Sequence, residues 1–313
     1  MASATGRAWL AVTILSANLL AIPLLAQSQT ETTLPQWQIA AGGKMRFDAA
    51  SIRQDTSGRF KKPSFALSAD DGLPPTDGNF HADFPLIVYI QFAYKQWFTQ
   101  EQMRALLAPL PKWVMSDPYE IHAQAPGKPS KDQMRLMLQS LLADRFGLRL
   151  HFETRQQPVF VLMQVKPGKM GPRLHPHTST CDSALSAKGS TPKDVFPPLC
   201  LDQALMTIPK PNHVKLAGSR NMSLSVLAMY LPSIGDLDRP VIDRTGLRES
   251  VDFSLEFTPD AYLPMNTGVD ADSGTPITSF QEALKNQLGL ILAPAKAAVD
   301  VLVVDHVERP SEN

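Results

Sequence analysis

Along residues 130–166 the apolar positions change period once, from that of a helix to that of a strand. Met134, Met137, Leu138, Leu141 and Leu142 recur at helical spacing, so they share one helix face. Ser130 and Gln133 stand three residues apart at its start, the spacing of a capping box. Gly147 follows the last turn, where a left-handed residue ends a helix. Leu148, Leu150 and Phe152 then alternate, and beyond Gln156-Gln157-Pro158 so do Val159, Val161 and Val165, which predicts two strands. The pattern returns near the C-terminus at a constant offset of 142 (281 less 139): Gln139, Leu142, Gly147, Leu148, Leu150, Val159, Val161 and Val165 meet Gln281, Leu284, Gly289, Leu290, Leu292, Val301, Val303 and Val307. Such a match over one helix and two strands implies an internal duplication, with Gly147 and Gly289 as its structural glycines.

The rest of the chain fits around these two stretches. Phe47-Asp-Ala-Ala-Ser-Ile52 predicts a first strand, and the Gly, Pro and Asp-rich stretch from Asp55 to Asp77 a long loop. Phe80-His-Ala82 predicts a short strand, with Asp83 capping a helix whose first turn holds Pro85 and whose buried face is Leu86, Ile87, Ile90 and Ala93. Thr99 and Gln102 make another capping box, and Tyr119, Ile121 and Ala123 a strand. In the second half Asn221 is expected to cap a helix bearing Leu224, Leu227 and Leu231. Val251, Phe253, Leu255 and Phe257 alternate as a strand, and Thr278 with Gln281 opens the last helix. Each copy therefore reads strand, helix, strand, helix, strand, strand: an α+β fold of small, mainly antiparallel sheets with helices on one face. The expected divisions are a signal peptide over 1–26, an unstructured leader over 27–46, repeats over 47–166 and 214–313, and a Pro/Gly-rich linker over 167–213.

Charge narrows the choice of partners. Lys+Arg and Asp+Glu each number 30, so no global field draws the chain to nucleic acid or an anionic membrane. Arg7, the apolar run Ala8 to Leu25 and Ala26-Gln27 have the layout of a secretory signal cleaved after Ala26; an uncleaved anchor is the competing reading. No later segment is apolar enough to span a membrane. Export would let Cys181 and Cys200 close a disulfide, worth about 3 kcal/mol by chain entropy, against the alternative of two free thiols.

Standard catalytic and cofactor motifs are absent from the sequence. His175, His177 and His213 share a segment with the two cysteines, but at spacings of no zinc module. His151 and Glu153 lie on one strand face and could pair as acid and base, yet their counterparts are Ala293 and Ala295. Asp243-Arg-Thr-Gly246 reads as a turn in which Asp243 bonds local backbone and Gly246 has positive φ. Asp305-His306 would need a nucleophile that the sequence does not place. Tyr89, Tyr94, Trp97, Trp113 and Tyr119 concentrate aromatic surface in the first copy, as core or as the wall of a binding groove. No catalytic, cofactor or metal residue is assigned.

A family resemblance rests on Phe47-Asp-Ala-Ala-Ser-Ile52, Pro111-Lys-Trp-Val-Met-Ser-Asp-Pro-Tyr-Glu-Ile-His-Ala123, Met134 to Pro158, Arg239-Pro-Val-Ile-Asp-Arg-Thr-Gly-Leu247, Asp252-Phe-Ser-Leu-Glu-Phe257 and Asp305-His-Val-Glu-Arg-Pro-Ser-Glu-Asn313. In these motifs the chain resembles a soil-associated bacterial family of exported proteins, rich in paralogues, that carry a domain of unknown function. The family implies no agreed activity. Similar domains fused to membrane sensor peptidases of the antibiotic-response type imply extracytoplasmic sensing or binding. The topology is also similar to the small periplasmic amino-terminal module of secretins and TonB-dependent receptors, a fold analogy only. The expectation is a periplasmic or secreted, non-catalytic binding or sensing module for an envelope protein or small ligand; the alternative is a periplasmic hydrolase with its site on the 55–77 loop or the cysteine loop.

Overall fold

The structure, a computed structural model, describes residue 1 and residues 35–74, 76–177, 196, 205–263 and 278–310. The expected signal peptide, Cys181 and Cys200 fall outside the described residues. Two long strands, β4 (Arg149–Gln164) and β10 (Leu290–His306), pair antiparallel along their whole length. At about 3.3 Å per residue they make a ribbon roughly 50 Å long. Gln156 lies opposite Ala298, its own equivalent at the offset of 142 (298 less 156), so the ribbon has a local two-fold at that pair. Each strand was expected as two, split at Gln156-Gln157-Pro158. In an antiparallel ladder alternate residues turn both backbone groups toward the partner. The Val165 N–H to Gly289 C=O bond, 2.9 Å, makes those the odd-numbered ones. Pro158 and Pro294 are even-numbered and aim outward, where a missing N–H breaks no ladder bond, so neither interrupts its strand.

The even-numbered faces of the ribbon serve two cores. The first half places α2 (Leu86–Ala93) and α5 (Lys131–Arg145) on a sheet of order β1 (Ala49–Gln54), β3 (Pro118–Gln124), β2 (Asn79–Pro85), all antiparallel. Phe80, Phe92, Tyr119, Leu142 and Phe146 fill that core, with Leu148 just ahead of β4 and Leu302 from the ribbon. The short helices α3 (Gln100–Leu107) and α4 (Trp113–Ser116) lie between α2 and β3. In the second half β5 (Leu174–Pro176), β9 (Val251–Phe257), β7 (Lys215–Met222) and β6 (Met206–Pro209) form a four-stranded antiparallel sheet. Helix α6 (Leu224–Gly235) and α7 (Phe280–Ala283), which continues as a π turn over Leu284–Leu288, join Phe253, Phe257, Leu162 and Leu290 in the second core. The order strand, helix, strand, helix, long strand recurs in both halves, and the class is α+β with mostly antiparallel sheets.

Several starts differ from expectation by a step that the hydrogen bonds explain. Ser130 and Gln133 cap α5 and Thr99 and Gln102 cap α3 as read. The last helix is capped instead by Ser279 with Glu282, and α6 by Ser223, whose hydroxyl accepts from the Val226 N–H; Asn221 sits earlier, at φ +52°. Asp83 caps nothing, because β2 runs on through Pro85 and the helix begins at Leu86 without a side-chain cap. The stretch ahead of Phe47 holds a helix, α1 (Gln36–Ala40), where no regular structure was expected; the Lys95 ammonium lies 5.7 Å over the Trp37 ring.

The long loop after β1 is pinned to α5 by ions buried in it. Arg135 is 0% and Lys131 1% exposed. Lys131 Nζ bonds Asp70 Oδ1 and Ser68 Oγ at 2.8 Å, while Arg135 donates to the carbonyls of Ser68 and Asp70 and pairs with Asp71 and Asp132. Burial pushes the Lys131 pKa down, and Asp70 opposes it. Arg135→Met should cost about 1–3 kcal/mol in urea unfolding, because it leaves the Ser68 and Asp70 carbonyls without their donor. A loss under about 1 kcal/mol would show that the network does not hold the loop.

Gly147 and Gly289 end their helices at φ +56° and +71°. A Cβ on Gly289 would lie 2.7 Å from the Gly171 backbone nitrogen, whereas on Gly147 it would meet the movable Glu308 side chain at 2.9 Å. Gly147→Ala should therefore cost about 1–2 kcal/mol and Gly289→Ala more. Gly58 in the long loop, at φ +65°, carries the same conformational cost for alanine. Thermal melts of the two helix-end variants test the ranking, and equal melting of Gly289→Ala and parent would contradict it.

Candidate functional site

One edge of the ribbon is covered and the other is open. On the β4 side, β8 (Val241–Asp243) pairs parallel with Phe160 to Leu162. The Phe160 N–H donates to the Pro240 carbonyl at 2.8 Å and the Arg244 N–H to the Leu162 carbonyl at 2.9 Å. The equivalents of Phe160 and Leu162 on β10 are Leu302 and Val304, also even-numbered and aimed outward. Among the described residues no strand pairs with this edge. At the offset of 142 the residues equivalent to β8 are Thr99 to Glu101, the start of α3. Between α3 and the β10 edge lies a cavity of about 820 Å³, walled by Trp97, Phe98, Ala105 and Leu106 opposite Val301 to Val304. Trp97 is fixed edge-on against Tyr230 of α6, ring centroids 5.0 Å apart.

A second cluster occupies the outer face of the β1-β3-β2 sheet. Ile52, Ile121 and Ala82 turn into the core, so the neighbouring rows, Arg53–Glu120–Asp83 and Ser51–His122–His81, turn away from it. His81 and His122 stack with centroids 4.3 Å apart, and their Nε2 atoms lie 3.5 and 3.2 Å from Glu120 Oε1. Arg53 bonds Glu120 Oε2 at 2.8 Å, and the Lys61 ammonium reaches Glu120, Asp55 and Asp83 at 3.1, 3.3 and 3.5 Å. Arg53 and then Lys61 hold the Glu120 carboxyl down to about 2, while burial, and then Asp55, raise Asp83. Backbone and hydroxyl bonds from Ser57 lower Asp55. Lys61 is raised: Glu120 and Asp55 outweigh its burial. Among the described residues, His81, Glu120 and His122 are the group whose arrangement could hold a metal ion.

The residues singled out in the sequence are dispersed. His151 bonds Asp305 at 3.0 Å and Glu153 at 3.2 Å on the ribbon, half-exposed, with Arg155 neutralising Glu153 at 2.6 Å. His177 pairs with Asp252 at 2.7 Å, and His213 stacks on Tyr262 at 4.1 Å, so these histidines do not converge. Asp243 Oδ1 accepts from the Thr245 N–H and hydroxyl, and Gly246 has φ +74°, the expected turn. His306 faces Glu308 at 3.7 Å. Tyr89 and Tyr119 are core, Tyr89 donating to the Tyr119 carbonyl at 2.6 Å; of the aromatic set Trp97 lines the cavity. The Glu120–His122 pair, two apart on a strand, was legible as a shared face; its meeting with His81 needed the β2–β3 register.

The His151 pKa is raised, first by Asp305 and then by Glu153. A raised folded-state pKa stabilises below the unfolded value of about 6.5, and that contribution fades as pH climbs through the folded pKa. The melting-temperature gap between parent and His151→Gln should thus be larger in mildly acidic than in alkaline buffer; a gap independent of pH would remove the ion network from the account.

The matches with known proteins carry a family and no activity. No curated protein and no solved structure matches the chain. No helix among the described residues is long and apolar enough to cross a membrane. A family model described as "Protein of unknown function (DUF3738)" matches residues 88–307, from α2 to just beyond β10, and with most of the chain inside that match the protein belongs to the DUF3738 family.

Proposed function

We propose that the protein is an exported, non-catalytic binding module that captures an extended segment of an envelope protein along the free edge of β10. The observation that carries this reading is internal: at the symmetry-related edge, the chain's own β8 already binds in that way. Strand addition draws its affinity from backbone bonds and its specificity from alternate side-chain pockets. The β8 pairing supplies the template, a parallel segment whose carbonyl receives the Leu302 N–H and whose N–H reaches the Val304 carbonyl. The cavity beside α3 supplies the apolar wall, with Trp97, Phe98, Ala105 and Leu106 in place to receive β-branched side chains. Convergent histidine and carboxylate groups, which would favour the hydrolase alternative, lie outside this cavity. The N-terminal apolar run supports export, and an envelope protein is the partner that export would bring within reach.

The test uses a synthetic peptide of the chain's own Asp238 to Thr245 sequence, labelled for fluorescence anisotropy, with the full chain. Saturable binding is expected, together with slowed amide exchange at Asp300, Leu302 and Val304, while Val301 and Val303, already bonded to β4, stay unchanged. Ala105→Trp places an indole in the groove from an exposed helix position and should abolish binding without lowering the melting temperature. Binding that survives Ala105→Trp, or protection that misses the even-numbered amides, would overturn the proposal.

A further inference from the structure

The polar cluster on the outer face of the β1-β3-β2 sheet has a donor set unlike an ordinary surface ion network. Its centre is one oxygen, Glu120 Oε1. Two imidazole Nε2 atoms and one ammonium all face it, within 3.5 Å. His81 Nε2 is buried and has no hydrogen-bond partner, its approach to Glu120 being a contact without hydrogen-bond alignment. Arg53 holds the other carboxylate oxygen and so fixes the direction of Oε1. Beside them Asp83, its side chain only 3% exposed, keeps Oδ1 buried without a hydrogen-bond partner.

We propose that His81, His122 and Glu120 are the ligands of a divalent transition-metal ion of the zinc type, and that the Lys61 ammonium holds the ion's place in the metal-free protein. Ligand atoms bonded to zinc at about 2.0–2.1 Å in tetrahedral array stand about 3.3 Å apart. The two Nε2-to-Oε1 separations here are 3.2 and 3.5 Å, and all three ligand atoms lie within 4.8 Å of one another. The site therefore needs little rearrangement. Two imidazoles and one carboxylate select borderline cations over magnesium or calcium, which take oxygen donors. Three protein ligands leave a fourth position open to water. Arg53 acts as a positioning residue on the carboxylate.

The charge balance explains the role of Lys61. Asp55, Asp83 and Glu120 gather three carboxyl groups, against the two cations Arg53 and Lys61. An ion bonded to Oε1 takes the position of the ammonium 3.1 Å away, and the like charges push Lys61 out. Lys61 belongs to the long loop after β1, so metal uptake frees that stretch of the loop while Lys131 and Arg135 keep its other end on α5. Metal binding and loop position become competing states of one carboxylate.

Titration of the full chain with zinc chloride at neutral pH tests the site. One equivalent should bind, and X-ray absorption should find two imidazole nitrogens around it. His81→Ala and His122→Ala should each weaken binding at least about tenfold. Both histidines are on the solvent side of the sheet, and His81→Gln serves as the replacement should alanine unfold it. Lys61→Met should tighten binding about tenfold or more, by removing a positive charge beside the ion. Absence of zinc binding, or undiminished binding in the His81→Ala/His122→Ala double variant, overturns the site. Parent affinity in Lys61→Met overturns the placeholder role.

Discussion

The pairing of β4 with β10 is the interaction on which the remaining structure depends. These strands lie far apart in sequence, so the chain spends loop entropy to join them, and a ladder of this length repays it. The same two strands then supply wall residues to both cores, Phe152 and Leu302 at one end and Leu162 and Leu290 at the other. A slip of one residue would turn all four to the wrong face, so the register is held at both ends at once. Gly147 and Gly289 matter for the same reason: each turns a helix end into the start of a long strand without consuming the residues that pack.

From that ladder the asymmetry of the molecule follows. One outer edge is consumed by β8, with Arg239 stacked 4.8 Å over Phe160 just before it. At the other edge α3 lies against β10 with a groove between them in place of a strand. The first sheet shows a related division of labour. Its central inner rows are apolar, so histidines, carboxylates and their counter-ions fall on the outer rows, where strand pairing brings together groups that no local motif contains.

What could be read from the sequence was what local physics decides. The α5 capping box, its apolar face, the glycine ends and the alternation of β9 depend on residues within a few positions of one another, and each is found where expected. The errors arise where pairing overrides local preference. Pro158 suggested a break because proline usually costs a ladder bond, but outward-facing parity makes it harmless. Asp83 suggested a cap because it precedes Pro85, but β2 follows β3 to its end and takes Asp83 with it. Lys131 and Arg135 lie outside the apolar face read from the sequence; their burial depends on Asp70 and the Ser68 carbonyl, some sixty residues earlier. The histidine–glutamate cluster was hidden for the same reason, since its residues come from two strands.

The local two-fold at Gln156 and Ala298 also bears on ancestry. Under the duplication that the offset implies, each residue of the ribbon pairs as it would with a second copy of itself, the signature of an isologous contact. The ribbon is then a homodimer interface written into one chain. A single-copy relative would present this long strand unpaired, and burying it would require association edge to edge through the same register. On that account fusion would make the contact intramolecular and independent of concentration, with one outer edge closed by β8 and the other left open.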